Sequence, residues 1–159
     1  MGLAIPIGLG AAVGRPDVPA YILVGDGGLA MSLPELMTAA MHAIPVTVIV
    51  LDDGGFGAEA RILEQHGKPP DLALYDNPDF AAVARALGLD ATTVTNAEDL
   101  LRLRAILNRA RAGPLVVHGR VERDREPGSL NPEASGSTDT RAPVSVGGPS
   151  RTSVSGEVA

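Results

Sequence analysis

Apolar runs rich in β-branched residues, alternating with helix signals, predict an α/β fold: a doubly wound parallel sheet with helices on both faces. Four such runs stand at 20–24, 46–51, 91–94 and 115–121, each the length of a buried strand. Helical patterns fill the intervals, as the crossovers of a parallel sheet require. Apolar residues make up 45% of the chain, but with only two Tyr, two Phe and no Trp the core must be aliphatic.

The elements follow in chain order. Residues 2–13 are rich in Ala and Gly and read as a closely packed, buried helix. After the first strand, Ser32-Leu33-Pro34-Glu35 has the pattern of a capping box, with Pro34 tolerated in the first turn, and opens a helix running to about His42. Asn77-Pro78 is expected to cap a second helix, in which Phe80, Val83, Ala84 and Leu87 share one face. Asn96 is expected to cap a third, with Leu100, Leu103, Leu107 and Ala110 on one stripe and Gly113-Pro114 as its stop. Beyond Asp124 the chain turns to Ser, Thr, Gly and Pro without an aromatic residue, too little apolar surface to offset the entropy of ordering. The expected organisation is one domain over residues 1–122 and a disordered tail over 123–159.

Composition excludes several classes of function. Without cysteine there is neither a disulfide nor a thiolate metal site. A formal charge of −6 leaves no basic surplus for a nucleic-acid backbone. No apolar run approaches a membrane span, and the start Met1-Gly2-Leu3 lacks the charge of a signal peptide, so the expected compartment is the cytoplasm. The three histidines read separately: His42 at a helix end, His66 in a polar loop, and His118 as a structural residue in the last strand. Arg102, Arg104, Arg109 and Arg111 read as the wet face of a helix.

In a parallel sheet the ligand site lies beyond the carboxyl ends of the strands. Two such ends carry matching chemistry. The first strand runs into Gly25-Asp26-Gly27-Gly28, where glycines let the backbone approach a ligand closely. The second runs into Asp52-Asp53-Gly54-Gly55-Phe56-Gly57, which brings further carboxylates. Each alone reads as an ordinary turn. Together, at strand ends of one sheet, they suit a hard cation shared with a phosphate, and magnesium better than a transition metal.

Gly25-Asp26-Gly27, 24 intervening residues, and the Asp52-Asp53 pair resemble the thiamine diphosphate (ThDP) motif of acetolactate synthases and 2-oxo acid decarboxylases, which reads GDG, a gap of this order, then Asn-Asn. The stretches AYILVGDGGLAMSLPELMTAA and IPVTVIVLDDGGFGAEA are similar to that family throughout, and the likeness covers roughly residues 1–121. The resemblance implies that Asp26 and Asp53 bind magnesium through their side chains and Gly55 through its carbonyl. It implies that Gly27 and Gly28 meet the diphosphate through their N–H groups, with Gly25 and Gly55 completing the cofactor-binding set. Met1 falls where the family places an apolar wedge between the cofactor's rings, and Glu59 where its decarboxylases carry a glutamate that handles protons. Asp52-Asp53 departs from Asn-Asn and adds negative charge beside the diphosphate.

The resemblance further implies a 2-oxo acid substrate, an oligomer, and a pyrimidine-binding domain or subunit supplied in trans. On that expectation the chain is either a small subunit with a separate partner or a piece of a longer lyase or transferase. A non-catalytic subunit that retains the fold is the alternative from another class. A nucleotide-binding domain is disfavoured, because no G-x-G-x-x-G follows the first strand.

Overall fold

The computed structural model describes residues 1–107 and 113–123. It contains helix α1 (Ala4–Gly14), strand β1 (Ala20–Gly25), helices α2 (Asp26–Met31) and α3 (Glu35–Met41), strand β2 (Val46–Asp52), helix α4 (Gly57–Gln65), a 3-10 turn (Pro70–Ala73), helix α5 (Phe80–Ala86), strand β3 (Asp90–Val94), helix α6 (Ala97–Leu107) and strand β4 (Leu115–Arg120). The four strands are all parallel, in the order β1-β2-β4-β3. This is the α/β sheet expected, and the four apolar runs become its four strands.

Alternation along the strands sorts side chains onto two faces. One face carries Ile22, Val24, Val48, Val50 and Val116, packed with Ile5 and Leu9 of α1, Leu29 of α2, Leu36 of α3 and Phe80 of α5. The other carries Val94, Leu115 and Val117, covered by Leu103, Ile106 and Leu107 of α6. Helices therefore cover both faces. At about 25 cal/mol per Å² of buried apolar surface, the larger first layer dominates the drive to fold. No described helix is long and apolar enough to cross a membrane.

Local expectations fared unevenly. Helix α1 is buried along one stripe only, since Ile5, Leu9 and Ala12 face the core while Ile7 and Val13 are exposed. Its close packing is real, because a Cβ on Gly8 would lie 2.3 Å from the Ile22 side chain. The capping box does not form. Ser32 Oγ donates to the Gly28 carbonyl (2.9 Å) and finishes α2, while α3 starts after Pro34 with no side-chain cap. Helix α2 itself begins at Asp26, where a loop was expected. Asn77 is not a cap either, since Asp79 accepts from the N–H groups of Ala81 and Ala82 and caps α5. Asn96 does accept from Asp99 N–H (3.0 Å), as a cap should. On α6, Leu100 is exposed and Ile106 takes its place in the packed stripe. Ala110, Arg109, Arg111 and all of 124–159 lie outside the described residues.

Candidate functional site

The parallel register that pairs Ala20 with Val46 also pairs Gly25 with Leu51. It therefore sets Asp26 and Asp52, distant in sequence, at neighbouring strand ends. Asp26 is 2% exposed. Its Oδ2 accepts from Gly55 N–H (2.6 Å) and from the Asn77 side-chain amide. Gly55 reaches it with φ of +135°, a conformation open to glycine, and a Cβ there would sit 2.4 Å from the Ala73 carbonyl oxygen. The Gly54–Phe56 loop is held in place by an antiparallel bridge from Gly55 to Leu74 and by Phe56 N–H donating to Ala73 (2.8 Å).

Gly27 opens α2 under the Phe56 ring, so close that a Cβ would stand 2.5 Å from a ring carbon. The Phe56 ring in turn meets Tyr75 edge-on at 5.6 Å. A Cβ on Gly28 would touch Val24 at 3.0 Å, whereas one on Gly25 would meet nothing within 4 Å. Both of the expected phosphate-facing glycines thus lie in the first turn of α2, beside the Asp26 carboxylate.

Asp53 folds its carboxylate against Gly57, where a Cβ would come within 2.0 Å of Asp53 Oδ2. Burial, and then the charge of Asp26, push the Asp53 carboxyl above its ordinary value, against the pull of Arg123. Burial and the charges of Asp26, Asp52 and Asp53 likewise raise the Tyr75 hydroxyl. Three carboxylates therefore share one electronegative region at the ends of β1 and β2. The first two of the expected metal ligands, Asp26 and Asp53, are close enough for the charge of one to act on the other, and Gly55, two residues after Asp53, donates its N–H to Asp26. Among the described residues the Gly55 carbonyl accepts no hydrogen bond.

Asp52 takes a different part. Burial alone would raise its carboxyl, but hydrogen bonds from His118, Asn77 and the Gly54 N–H hold it below the ordinary range. His118 Nε2 stands 2.8 Å from Asp52 Oδ2, and Nδ1 stands 3.3 Å from Asp79 Oδ1. The ring is fully buried and rests edge-on against Phe80. Each ring nitrogen thus faces a carboxylate, and contact with His118 works to lower both the Asp52 and the Asp79 carboxyls. Arg123 adds a cation. Its guanidinium donates to the Asp53 and Gly54 carbonyls and its Nε lies 3.8 Å from Asp53 Oδ2. The expected domain boundary at residue 122 excluded this contact.

Glu59 is exposed in the first turn of α4, just after the site loop. Met1 is 80% exposed. Asn77, His118 and Arg123 are the contributors that sequence reasoning missed. A histidine inside an otherwise apolar strand, opposite a sequence that carries Asp52 where the resemblance expects Asn, was the available signal for one of them.

The arrangement suits a divalent cation with oxygen ligands. Among the described residues no group of three His, Cys, Asp or Glu side chains forms a metal cluster of its own. Magnesium does not need one, since it takes one or two carboxylates and completes its shell with carbonyls, water and phosphate. Two carboxylates that repel each other beside an unengaged carbonyl fit that description.

Comparison with known proteins identifies the family of the domain. A family model described as thiamine pyrophosphate enzyme, C-terminal TPP binding domain, matches residues 1–118. The chain is 34% identical over 126 residues to the acetolactate synthase of Mycobacterium avium, covering 74% of this chain and 20% of that protein. It is 35% identical over 100 residues to the sulfoacetaldehyde acetyltransferase of Castellaniella defragrans, covering 62% of this chain and 17% of that one. Among solved structures, the thiamine diphosphate-dependent 4-hydroxybenzoylformate decarboxylase of Rhodococcus jostii RHA1 is similar with a TM-score of 0.70 and 28% identity, over 79% of this chain and 24% of that one. The chain thus spans about a fifth of the length of the curated relatives it matches.

Proposed function

Because the chain belongs to the C-terminal TPP binding domain family of thiamine pyrophosphate enzymes, we propose that it binds the diphosphate of ThDP through magnesium, as part of an enzyme acting on 2-oxo acids. The observation that carries the proposal is the convergence of Asp26 and Asp53 beside Gly55 and the α2 glycines, with the Asp53 carboxyl raised by burial and then by the charge of Asp26. A cation between the two acids would relieve that repulsion.

In this reading Asp26 and Asp53 hold magnesium through their carboxylates and Gly55 through its carbonyl. Gly27 and Gly28 present N–H groups to the diphosphate, and Gly25 leaves open space for its approach. When bound, ThDP would supply the electron sink for making or breaking a bond beside a carbonyl. Glu59, in the turn that follows the site loop, is the side chain of this chain proposed to handle protons, and Met1 the proposed wedge against the cofactor's rings. Arg123 offsets part of the negative charge that Asp53 brings to the site, and His118 engages the Asp52 carboxylate, so the Asp-Asp pair remains compatible with an anionic cofactor. A pyrimidine-binding domain in trans is the proposed partner for the other half of the cofactor, within a homo- or hetero-oligomer.

Calorimetric titration of ThDP into the purified protein, with and without magnesium, tests the proposal. Binding that requires magnesium and vanishes in Asp26→Ala is expected. Equal affinity in that variant would refute the metal assignment, and no binding by the folded wild type would favour a non-catalytic subunit.

A further inference from the structure

Asn77 lies between two acids. Its side-chain nitrogen donates to Asp26 Oδ2 and, at 2.7 Å, to Asp52 Oδ1. An amide has two N–H bonds, so each carboxylate takes one, and the donor is used up. Asn77 Oδ1 is buried with no hydrogen-bond partner among the described residues. The amide is therefore oriented by the two carboxylates, since a flip would set its oxygen against both. The backbone is restrained as well. Pro78 confines the preceding residue to extended conformations, and Asp79, next along, is fixed as the α5 cap and by His118.

We infer that Asn77 is a positioning residue for the metal ligand Asp26, an inference that rests on the magnesium and ThDP reading above. Both donors that reach Asp26, Gly55 N–H and the Asn77 amide, converge on Oδ2. That pins the carboxylate in one rotation and leaves Oδ1 to ligate. The same amide ties Asp26 to Asp52, so the end of β1 is held in register with the end of β2 where Asp53 follows. No hydroxyl or carboxylate at position 77 supplies two donors in one plane.

The test measures metal and cofactor binding separately, using Mn²⁺ as the probe and following free Mn²⁺ by electron paramagnetic resonance in the presence of ThDP. In Asn77→Ala and Asn77→Asp, the metal concentration for half-saturation should rise by about tenfold or more, the usual effect of removing a partner that orients a ligand. At saturating metal, ThDP affinity should return to within about twofold of wild type, as expected when only the ligand's orientation was lost. A metal requirement within twofold of wild type would overturn the inference. So would a loss of ThDP affinity that saturating metal does not restore, because that is the mark of a general packing role. Should either variant fail to fold, the unmodified protein decides: the Asn77 side-chain amide resonances shift when magnesium and ThDP are added together, and no shift would overturn the inference. If wild type itself takes up no metal with ThDP, the cofactor reading fails, and the inference with it.

Discussion

Replacing His118 with Phe tests whether the buried imidazole is what makes an extra acid tolerable at this site. Phe keeps the volume and the edge contact with Phe80 but removes both ring nitrogens. Asp52, 8% exposed, then loses its 2.8 Å partner. Breaking a buried pair by removing one member costs roughly 3–5 kcal/mol, because the other charge is left uncompensated. Asn77 and Gly54 N–H still serve Asp52 Oδ1, so the lower end, about 3 kcal/mol, applies. Asp79 is largely exposed at its side chain, and losing that longer contact adds about 0.5 kcal/mol at most. For a domain of this size the sum lowers Tm by roughly 12 °C. Thermal unfolding followed by circular dichroism at pH 7 measures it. Adding Asp52→Asn to the variant removes the stranded charge and should recover more than half of the loss. A pH series carries an independent signature. The Asp52 and Asp79 carboxyls are both held below their ordinary value. Their stabilisation is therefore present above about pH 4 and is lost as pH falls through the folded-state values. The gap between wild type and His118→Phe should therefore narrow as pH falls below about 4. A loss under 1 kcal/mol, or no rescue by Asp52→Asn, would refute the reasoning.

Two more substitutions probe the loop that follows β2. Asp53→Asn should raise the Tm of the ligand-free protein at pH 7. A raised carboxyl stabilises only below its ordinary value of about 4, so wild type gives up that contribution as pH climbs, and the two proteins should converge in acid. Wild type melting higher at pH 7 would contradict this. Gly55→Ala should destabilise by about 3 kcal/mol or more, since the variant adds strain at positive φ to a collision with the Ala73 carbonyl. Urea unfolding reads the change, and a loss below 1 kcal/mol would mean the loop simply shifts.

What the sequence disclosed depended on distance along the chain. Strands and the Asp26 and Asp52-Asp53 turns are local patterns, legible because β-branched runs and Gly-Asp clusters announce themselves within a few residues. The braces around those turns are not local. Asn77 meets Asp26 across 51 residues, His118 meets Asp52 across 66, and Arg123 meets Asp53 across 70. Read locally, Asn77-Pro78 is a sound helix cap. The clue against it was Asp79, a second good cap two residues later, which made Asn77 redundant for capping and free for other use. Arg123 was lost to a compositional boundary, because the change toward Ser, Thr and Gly gives no sign of one side chain folding back. Ser32 shows the opposite failure. Its capping-box spacing was complete, yet α2 had already consumed the chain up to Met31, and the hydroxyl was used to end that helix.

The strand order has a consequence for how the protein is made. β4, the last of the described strands in chain order, does not join an edge but inserts between β2 and β3. Until it arrives, β3 has no strand partner, and Asp52 waits without His118. Among the described strands, a nascent chain ending before Leu115 can therefore pair only β1 with β2, while Asp52 and Asp53 lack the contacts with His118 and Arg123 that later brace them. Completing the sheet means closing loops of tens of residues before any of those contacts form. Such non-local topologies fold slowly, so the acidic ends of β1 and β2 should acquire their final shape only once β4 is in place.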